Sequence, residues 1–260
     1  MKRSYRRSDI DSFFKCPQQY EYSHIQKLRR RPGIAAIAGT SIHAAIDHNW
    51  QYKLEHEDDA PVDELLDVGR TRFDKELDKQ GTDFLDGDPN ALIPDAVDTV
   101  VKTIGVFAEV VSPMIFPAET ELPLAMMLGD EIEMTCTLDL ITDARELWDF
   151  KSGKSTNQAA ANVSRQLTWY AAAYKAHFDD DPADLGLIHI MKTKAETYRT
   201  SRTKEDFDDL FARVMLADKL IQAGLFPPCD NANSQAWWCT PKFCGYHKAN
   251  GGPCPFGRRG

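Results

Sequence analysis

Asp149 and Lys151 stand two apart in ELWDFKSG, residues 146 to 153, with Trp148 and Phe150 interleaved. On a strand, successive side chains alternate faces, so the acid and the lysine share one face and the aromatics the other. The aromatic face suits a core, and the charged face suits a cleft. Asp139, in CTLDLI, lies ten residues earlier. Two antiparallel strands joined by a tight turn would set the two aspartates side by side. Paired carboxylates favour a hard divalent cation such as Mg²⁺ or Mn²⁺, which takes oxygen ligands and keeps several waters. Such an ion lowers the pKa of a bound water and stabilises the oxygens of an in-line phosphoryl displacement. A lysine beside it can steady the attacking water or the charge developing on phosphate. The same short pattern also occurs on ordinary solvated strand faces, so it needs further partners.

Three residues elsewhere could supply them. His43, in GTSIH, sits in a helical stretch that is otherwise mostly apolar; it is either a partly buried satisfied histidine or a third metal ligand through a neutral imidazole. Gln166 and Tyr170 are spaced i,i+4 and share one helix face. Their polar ends could reach the cleft or a phosphate, or simply make that face polar.

The six cysteines are Cys16, Cys136, Cys229, Cys239, Cys244 and Cys254. The last three give C-x₄-C-x₉-C in a tail rich in Pro, Gly and Trp, and Cys16 lies far upstream in FKCPQQY. Soft thiolates select zinc or an iron–sulfur cluster. Zinc knuckles come in close pairs, and only one such pair is present. Free thiols are the third reading. Cys136 reads as a small buried hydrophobe, Cys229 as a spare, and His247 as a substitute ligand of last resort.

These residues need elements to carry them. SDIDSFFK reads as a short helix capped by Ser8. GTSIHAAIDHNWQYKL carries Ile42, Ala45, Ile46 and Trp50 near helical spacing, and further helices are expected at about 61–80 and 89–112, the last after a DGDP turn. The period then changes. ETELPLAMML, EIEMTCTLDLIT and ELWDFKSG read as three antiparallel strands. SRQLTWYAAAYKAHF is a helix with Leu167, Ala171 and Tyr174 on one face, LGLIHIMKT a further strand, and KEDFDDLFARVMLADKLIQAG an amphipathic helix. The tail from Pro227 has no periodic pattern, so something other than a packed core should hold it.

The chain has 260 residues and a net charge of −9. Residues 1–31 nevertheless hold nine Lys or Arg against three acids. A basic entrance on an acidic body is compatible with phosphate binding, and equally with a solvated surface segment. No apolar run is long enough to span a membrane and no secretion signal is read, so the expected compartment is the cytoplasm, where cysteines bind metal or react rather than pair.

The order of His43, Asp139, Asp149–Lys151 and then Gln166 and Tyr170 in QLTWY resembles the RecB-type branch of the PD-(D/E)XK nuclease superfamily, from about Ser8 to Phe256. FFKCPQQYEY is similar to the start of such domains. The resemblance implies an α/β restriction-endonuclease-like core, a central mixed sheet flanked by helices, with an N-terminal helical region and a Cys-rich C-terminal tail. The 260 residues would form one nuclease domain: 1–115 mainly helical, 116–225 the catalytic α/β core, and 226–260 a tail packing on the N-terminal helix. It implies that His43, Asp139, Asp149 and the Phe150 carbonyl hold Mg²⁺ or Mn²⁺, that Lys151 orients the water, and that Gln166 and Tyr170 support the site. Glu119 or Glu121 would add an acid from the preceding strand. Where relatives often carry glycine before Asp139, this chain has Cys136–Thr137–Leu138.

One early and three late cysteines resemble the iron–sulfur staple of AddB-type and CRISPR-adaptation nucleases. Cys16, Cys239, Cys244 and Cys254 would then ligate a [4Fe–4S] cluster, with zinc as the alternative. The implied activity is metal-dependent hydrolysis of DNA, by exonuclease action on single strands or ends ahead of endonuclease action, alone, with a protein partner or as a homo-oligomer. The alternatives are a non-catalytic iron–sulfur DNA-binding protein, a nuclease subunit of a larger repair or recombination complex, and a metalloprotein whose tail serves stability alone. No metalloprotease, esterase or P-loop motif is present.

Overall fold

The computed structural model describes residues 2–28, 30–82, 88–153, 156–230 and 236–256. Arg29, the start of the DGDP turn and the last four tail residues lie outside them.

The core is a mixed sheet. The alternating segments form β2 (Pro117–Leu128), β3 (Ile132–Thr142) and β4 (Glu146–Ser152), paired antiparallel in sequence order. β2 runs along one edge of β3. Residues 132–135 of β3 pair on the other edge with β1 (Arg3–Arg6), parallel, and Leu140 and Ile141 pair there with β4. β5 (Asp184–Ile190) lies parallel to β4, and β6 (Ala195–Thr200) antiparallel to β5. A parallel neighbour requires a crossover, which α6 (Gln158–Asn162) and α7 (Arg165–Phe178) supply.

Helices cover both faces. Leu140, Trp148, Phe150, Ile188 and Ile190 bury against a layer of α3 (Ile34–His56), α4 (Val62–Gln80) and α5 (Pro89–Val106). Leu138, Leu147, Leu185 and Leu187 bury against α1 (Arg7–Lys15), α7 and α8 (Lys204–Gln222). The expected α/β architecture is therefore present. Its helical stretches fall close to expectation, with Ile42, Ala45, Ile46 and Trp50 all at 2% exposure or less.

Some local readings need correction. The N-cap of α1 is Arg6, not Ser8, because the Asp9 carboxylate accepts from the Arg6 backbone N–H at 2.8 Å. In α7 every residue from Leu167 to Tyr174 is buried, so it has no single apolar face. The sheet lies under it, and α1 and α8 lie beside it. β1 and β6 carry no signal of their own. RSYR is too short and basic, and AETYRT is half-exposed along its length, so pairing alone defines them.

Much of the N-terminal basic charge is spent inside the fold. Arg3 makes paired hydrogen bonds to Asp218 at 2.6 and 3.1 Å, and Tyr5 Oη donates to the same carboxylate at 2.9 Å, which pins β1 to α8. The Arg30 guanidinium stacks on the Tyr246 ring at 5.4 Å. The tail thus rests on the segment after α1. Gln18 N–H donates to Pro227 O at 3.2 Å, and Tyr246 Oη to Leu28 O at 2.6 Å.

Candidate active site

The β3–β4 register pairs Leu140 with Trp148, so the next pair outward is Asp139 opposite Asp149. Strand alternation does the rest. Trp148 and Phe150 point into the core against α3 and α5, and Asp149 and Lys151 face α7. A kink helps present Asp139. Ile132, Met134 and Leu138 bury on the α7 side, but Leu140 buries on the α3 side and Ile141 returns to the α7 side, so the alternation changes phase near residue 139. Opposite it on β2, Glu121 adopts φ 47°, a left-handed conformation uncommon for a side chain of this size.

The polar atoms form a chain with one direction. Lys151 Nζ donates to Asp149 Oδ1 at 3.0 Å and to Gln166 Oε1 at 2.9 Å. Gln166 Nε2 donates to Tyr170 Oη at 2.9 Å, and Tyr170 Oη to Asp139 Oδ1 at 3.0 Å. The Phe150 N–H donates to Asp139 Oδ2 at 3.3 Å. Arg7 Nη2 also reaches Gln166 Oε1, at 3.3 Å. Two cations on one amide oxygen fix the amide orientation, since the flipped form would turn its N–H groups on them. Lys151, Gln166, His189, Arg7 and Arg165 line an open cavity of about 470 Å³ beside this chain.

Burial sets the electrostatics. Asp149 has no exposed surface, and that desolvation raises its pKa; the Lys151 ammonium pulls it back and the Asp139 carboxylate adds to the rise. Burial likewise raises the Tyr170 phenol, helped by both aspartates, so it stays a protonated donor. Removing that donor in Tyr170→Phe leaves the Asp139 carboxylate, among the described residues, with the Phe150 N–H as its hydrogen-bond donor. Cleavage should fall about 10–100-fold with little change in melting temperature, as for other groups that orient a ligand. Initial rates against an end-labelled substrate check this; a rate equal to the parent would remove Tyr170 from the machinery.

The donor set suits a hard divalent cation. Asp149 Oδ2 is buried without a hydrogen bond, although Lys151 Nζ lies 2.8 Å away in a poor hydrogen-bonding direction. His43 Nδ1 lies 4.0 Å from Asp139 Oδ2. Among the described residues no three His, Cys, Asp or Glu side chains are close enough to share one ion as they stand. An ion held by Asp139, Asp149 and His43 would have to draw them together.

Of the two candidate glutamates, Glu121 stands opposite Asp139, whereas Glu119 pairs with Ile141. Glu121 keeps solvent contact, yet surrounding protein first, then Asp139 and Asp47, push its pKa up to about 7. A carboxyl held above its unfolded value near 4.5 binds more protons in the folded state, so it favours folding at low pH. That contribution should be lost as pH rises from about 4.5 to about 7 in metal-free buffer. Melting scans should show the fall, and Glu121→Gln should flatten it; an equal slope in the variant would contradict the assignment.

The family comparison agrees with this geometry. A family model described as the PD-(D/E)XK nuclease superfamily matches residues 7–249. The chain belongs to the PD-(D/E)XK nuclease superfamily. A crystal structure from Eubacterium rectale, provisionally named an exonuclease, is similar in fold: the TM-score is 0.54 at 10% identity, over 87% of this chain and 84% of that one. No curated protein matches the chain. PD-(D/E)XK nucleases generally use divalent metals such as Mg²⁺ and act on DNA, and this chain has a nuclease's fold. Among the described residues no helix is long and apolar enough to cross a membrane.

Within this PD-(D/E)XK fold the expected residues His43, Asp139, Asp149, Lys151, Gln166 and Tyr170 come together. Two polar neighbours escaped the sequence reading. Asp47, one turn after His43 on α3, accepts from Thr120 Oγ1 at 2.9 Å; its i,i+4 spacing was the available signal. Arg7 had none, because only the packing of α1 on α7 brings it to Gln166.

The tail thiols also converge. Cys16, Cys239, Cys244 and Cys254 line one small cavity, and Cys229 joins them, its N–H donating to Cys16 Sγ at 3.4 Å. Cys229, read from the sequence as a spare, thus lies beside the other four. Cys136 sits elsewhere, packed on the core, with burial raising its thiol to about 12. His247 lines the cavity too, but its Nδ1 accepts from Ala249 N–H at 3.1 Å.

Proposed function

We propose that this protein is a metal-dependent deoxyribonuclease that hydrolyses phosphodiester bonds at Asp139, Asp149 and Lys151. The observation that carries the reading is the hydrogen-bonded chain from Lys151 through Gln166 and Tyr170 to Asp139, with Asp149 buried beside it. A carboxylate with no exposed surface, its pKa raised by burial beside a lysine that keeps solvent contact, marks a candidate functional site.

Asp139, Asp149, the Phe150 carbonyl and His43 would hold Mg²⁺ or Mn²⁺, with Glu121 and Asp47 as neighbouring acids. Bound there, the ion would lower the pKa of a coordinated water and neutralise charge on the phosphate. The chain's own residues do the rest. Lys151, fixed between Asp149 and Gln166, donates to the attacking water or to a phosphate oxygen. Tyr170 and Phe150 N–H hold the Asp139 carboxylate in place. Water oxygen bonds to phosphorus and gives up a proton to solvent, the bond to the leaving sugar oxygen breaks and that oxygen takes a proton from solvent, and the cavity lined by Arg7 and Arg165 receives the flanking backbone. We assign exonuclease action on single strands or DNA ends, in a reducing cytoplasm that keeps the cysteines out of disulfides.

For the tail we propose a [4Fe–4S] cluster on Cys16, Cys239, Cys244 and Cys254, which places the chain beside the AddB-type and CRISPR-adaptation nucleases. Zinc modules favour close cysteine pairs, and the tail offers one such pair, Cys239 and Cys244, with Cys254 and Cys16 farther off in sequence. The competing reading, a non-catalytic iron–sulfur DNA-binding protein, has no missing residue in the site to favour it.

Digestion of end-labelled single- and double-stranded DNA beside closed circles, with Mn²⁺ or EDTA, tests the assignment. Degradation of linear DNA with circles intact is expected. Cutting of circles would replace exonuclease with endonuclease action, and no cutting of any substrate would favour the non-catalytic reading.

A further inference from the structure

The paired tryptophans of the tail have different surroundings. Trp238 lines the thiol cavity. Trp237 is 58% exposed, and its ring meets Phe243, 44% exposed, edge-on at 4.8 Å. Cations sit among these rings. Lys242 Nζ is 5.3 Å from the Phe243 ring, and Lys15 Nζ is 6.0 Å from that of Trp238. Nearby on α1, Phe14 is partly exposed beneath the Arg213 guanidinium at 5.6 Å.

Exposed rings interleaved with cations match a polyanion that carries planar groups. Bases of a single strand stack on such rings, and its phosphates take the ammonium groups. A duplex hides its base faces and would gain only the charge.

Helix α1 sets the distance from this surface to the active site. Its first residue, Arg7, touches Gln166, and its last, Lys15, approaches Trp238. Eight residues at 1.5 Å rise span about 12 Å. That backbone span matches roughly three to four nucleotides at a stacked rise of about 3.4 Å, and Trp237 lies beyond Trp238, their ring centroids 5.9 Å apart. Arg7 and Lys15 also fall on one stripe of the helix, at i and i+8.

We propose that Trp237 and Phe243 form a stacking platform for the bases of single-stranded DNA, a few nucleotides from Lys151. The proposal rests on the nuclease reading and adds where the strand lies and why a single strand would be preferred. Binding is measured in EDTA, where no cleavage occurs, with a labelled oligothymidylate of about a dozen nucleotides and a duplex of equal length. Trp237→Ala should weaken oligothymidylate binding roughly ten-fold or more and duplex binding far less. Trp237→Phe, which keeps a ring, should recover most of the loss. Met114→Ala, at another exposed apolar side chain, should bind as the parent does. The tryptophan quenching caused by oligothymidylate should shrink in Trp237→Phe, a readout that does not depend on the alanine variant folding.

Binding of Trp237→Ala and Phe243→Ala each within about two-fold of the parent would overturn the platform. A parent that cuts DNA with Mn²⁺ but shows this unchanged binding keeps the nuclease reading and loses the platform. A parent that binds through Trp237 yet never cuts with any divalent ion keeps the platform and loses the nuclease.

Discussion

Asp149→Asn is expected to abolish cleavage and yet unfold no more easily than the parent. The side chain has no exposed surface, and burial raises its pKa against the pull of Lys151. Asparagine keeps the shape and removes the charge. Lys151, whose side chain is 40% exposed, can return to water when its partner is neutral. The ion and the water then lose a ligand, and the rate should fall at least about a thousand-fold.

Lys151→Ala should be equally inactive but less stable. It leaves a buried carboxylate without its cation, which costs up to about 3 kcal/mol because the acid can escape by taking a proton. The sign with pH follows. Losing Lys151 raises the Asp149 pKa further, so the folded variant holds its proton more tightly than the unfolded chain. Its stability should fall as pH rises above the usual carboxylate range, more steeply than for the parent. Thermal melts in EDTA at two pH values, beside digestion assays, separate the two variants. An Asp149→Asn protein that melts below Lys151→Ala would contradict the burial argument.

The second large effect is expected at Cys16. Among its described residues the tail has one short helical turn, Lys248–Asn250, and its apolar cluster is Tyr22, Tyr246 and Cys254 with Cys244 packed on it. Among the described tail residues that burial is small against about 1–2 kcal/mol of backbone entropy per residue. The proposed cluster on Cys16, Cys239, Cys244 and Cys254 would supply what packing does not. Protein purified anaerobically should be brown, with broad absorption in the visible blue. Cys16→Ser should lose iron and sulfide, and the chain beyond residue 226 should become sensitive to protease. Cys229→Ser decides whether the fifth thiol is a ligand or a neighbour: retained iron makes it a neighbour. A colourless, iron-free parent with a protease-resistant tail would remove the cluster.

The site was legible in the sequence where one periodicity governs it. Asp149 and Lys151 follow from strict alternation along a single strand, and Gln166 and Tyr170 from one helical turn. Each needs only local geometry. Glu121 was not separable from Glu119, because the choice depends on a left-handed residue opposite a change of phase in β3. Arg7 and Cys229 enter through tertiary packing, of α1 on α7 and of the tail on Cys16, which no spacing announces. The strands β1 and β6 were invisible for a related reason: a short polar edge has no pattern until its neighbour supplies one. The basic N-terminus also reads differently in space, since Arg3 and Arg30 are engaged by Asp218 and Tyr246.

One side-by-side digestion bears most directly on whether these residues form a hydrolytic centre. Parent and Lys151→Ala proteins are incubated with end-labelled linear DNA, with Mn²⁺ and with EDTA. Shortened products only for the parent with Mn²⁺ are the expected outcome. Equal products from the lysine variant, or from the parent in EDTA, would mean that phosphodiester hydrolysis does not occur here.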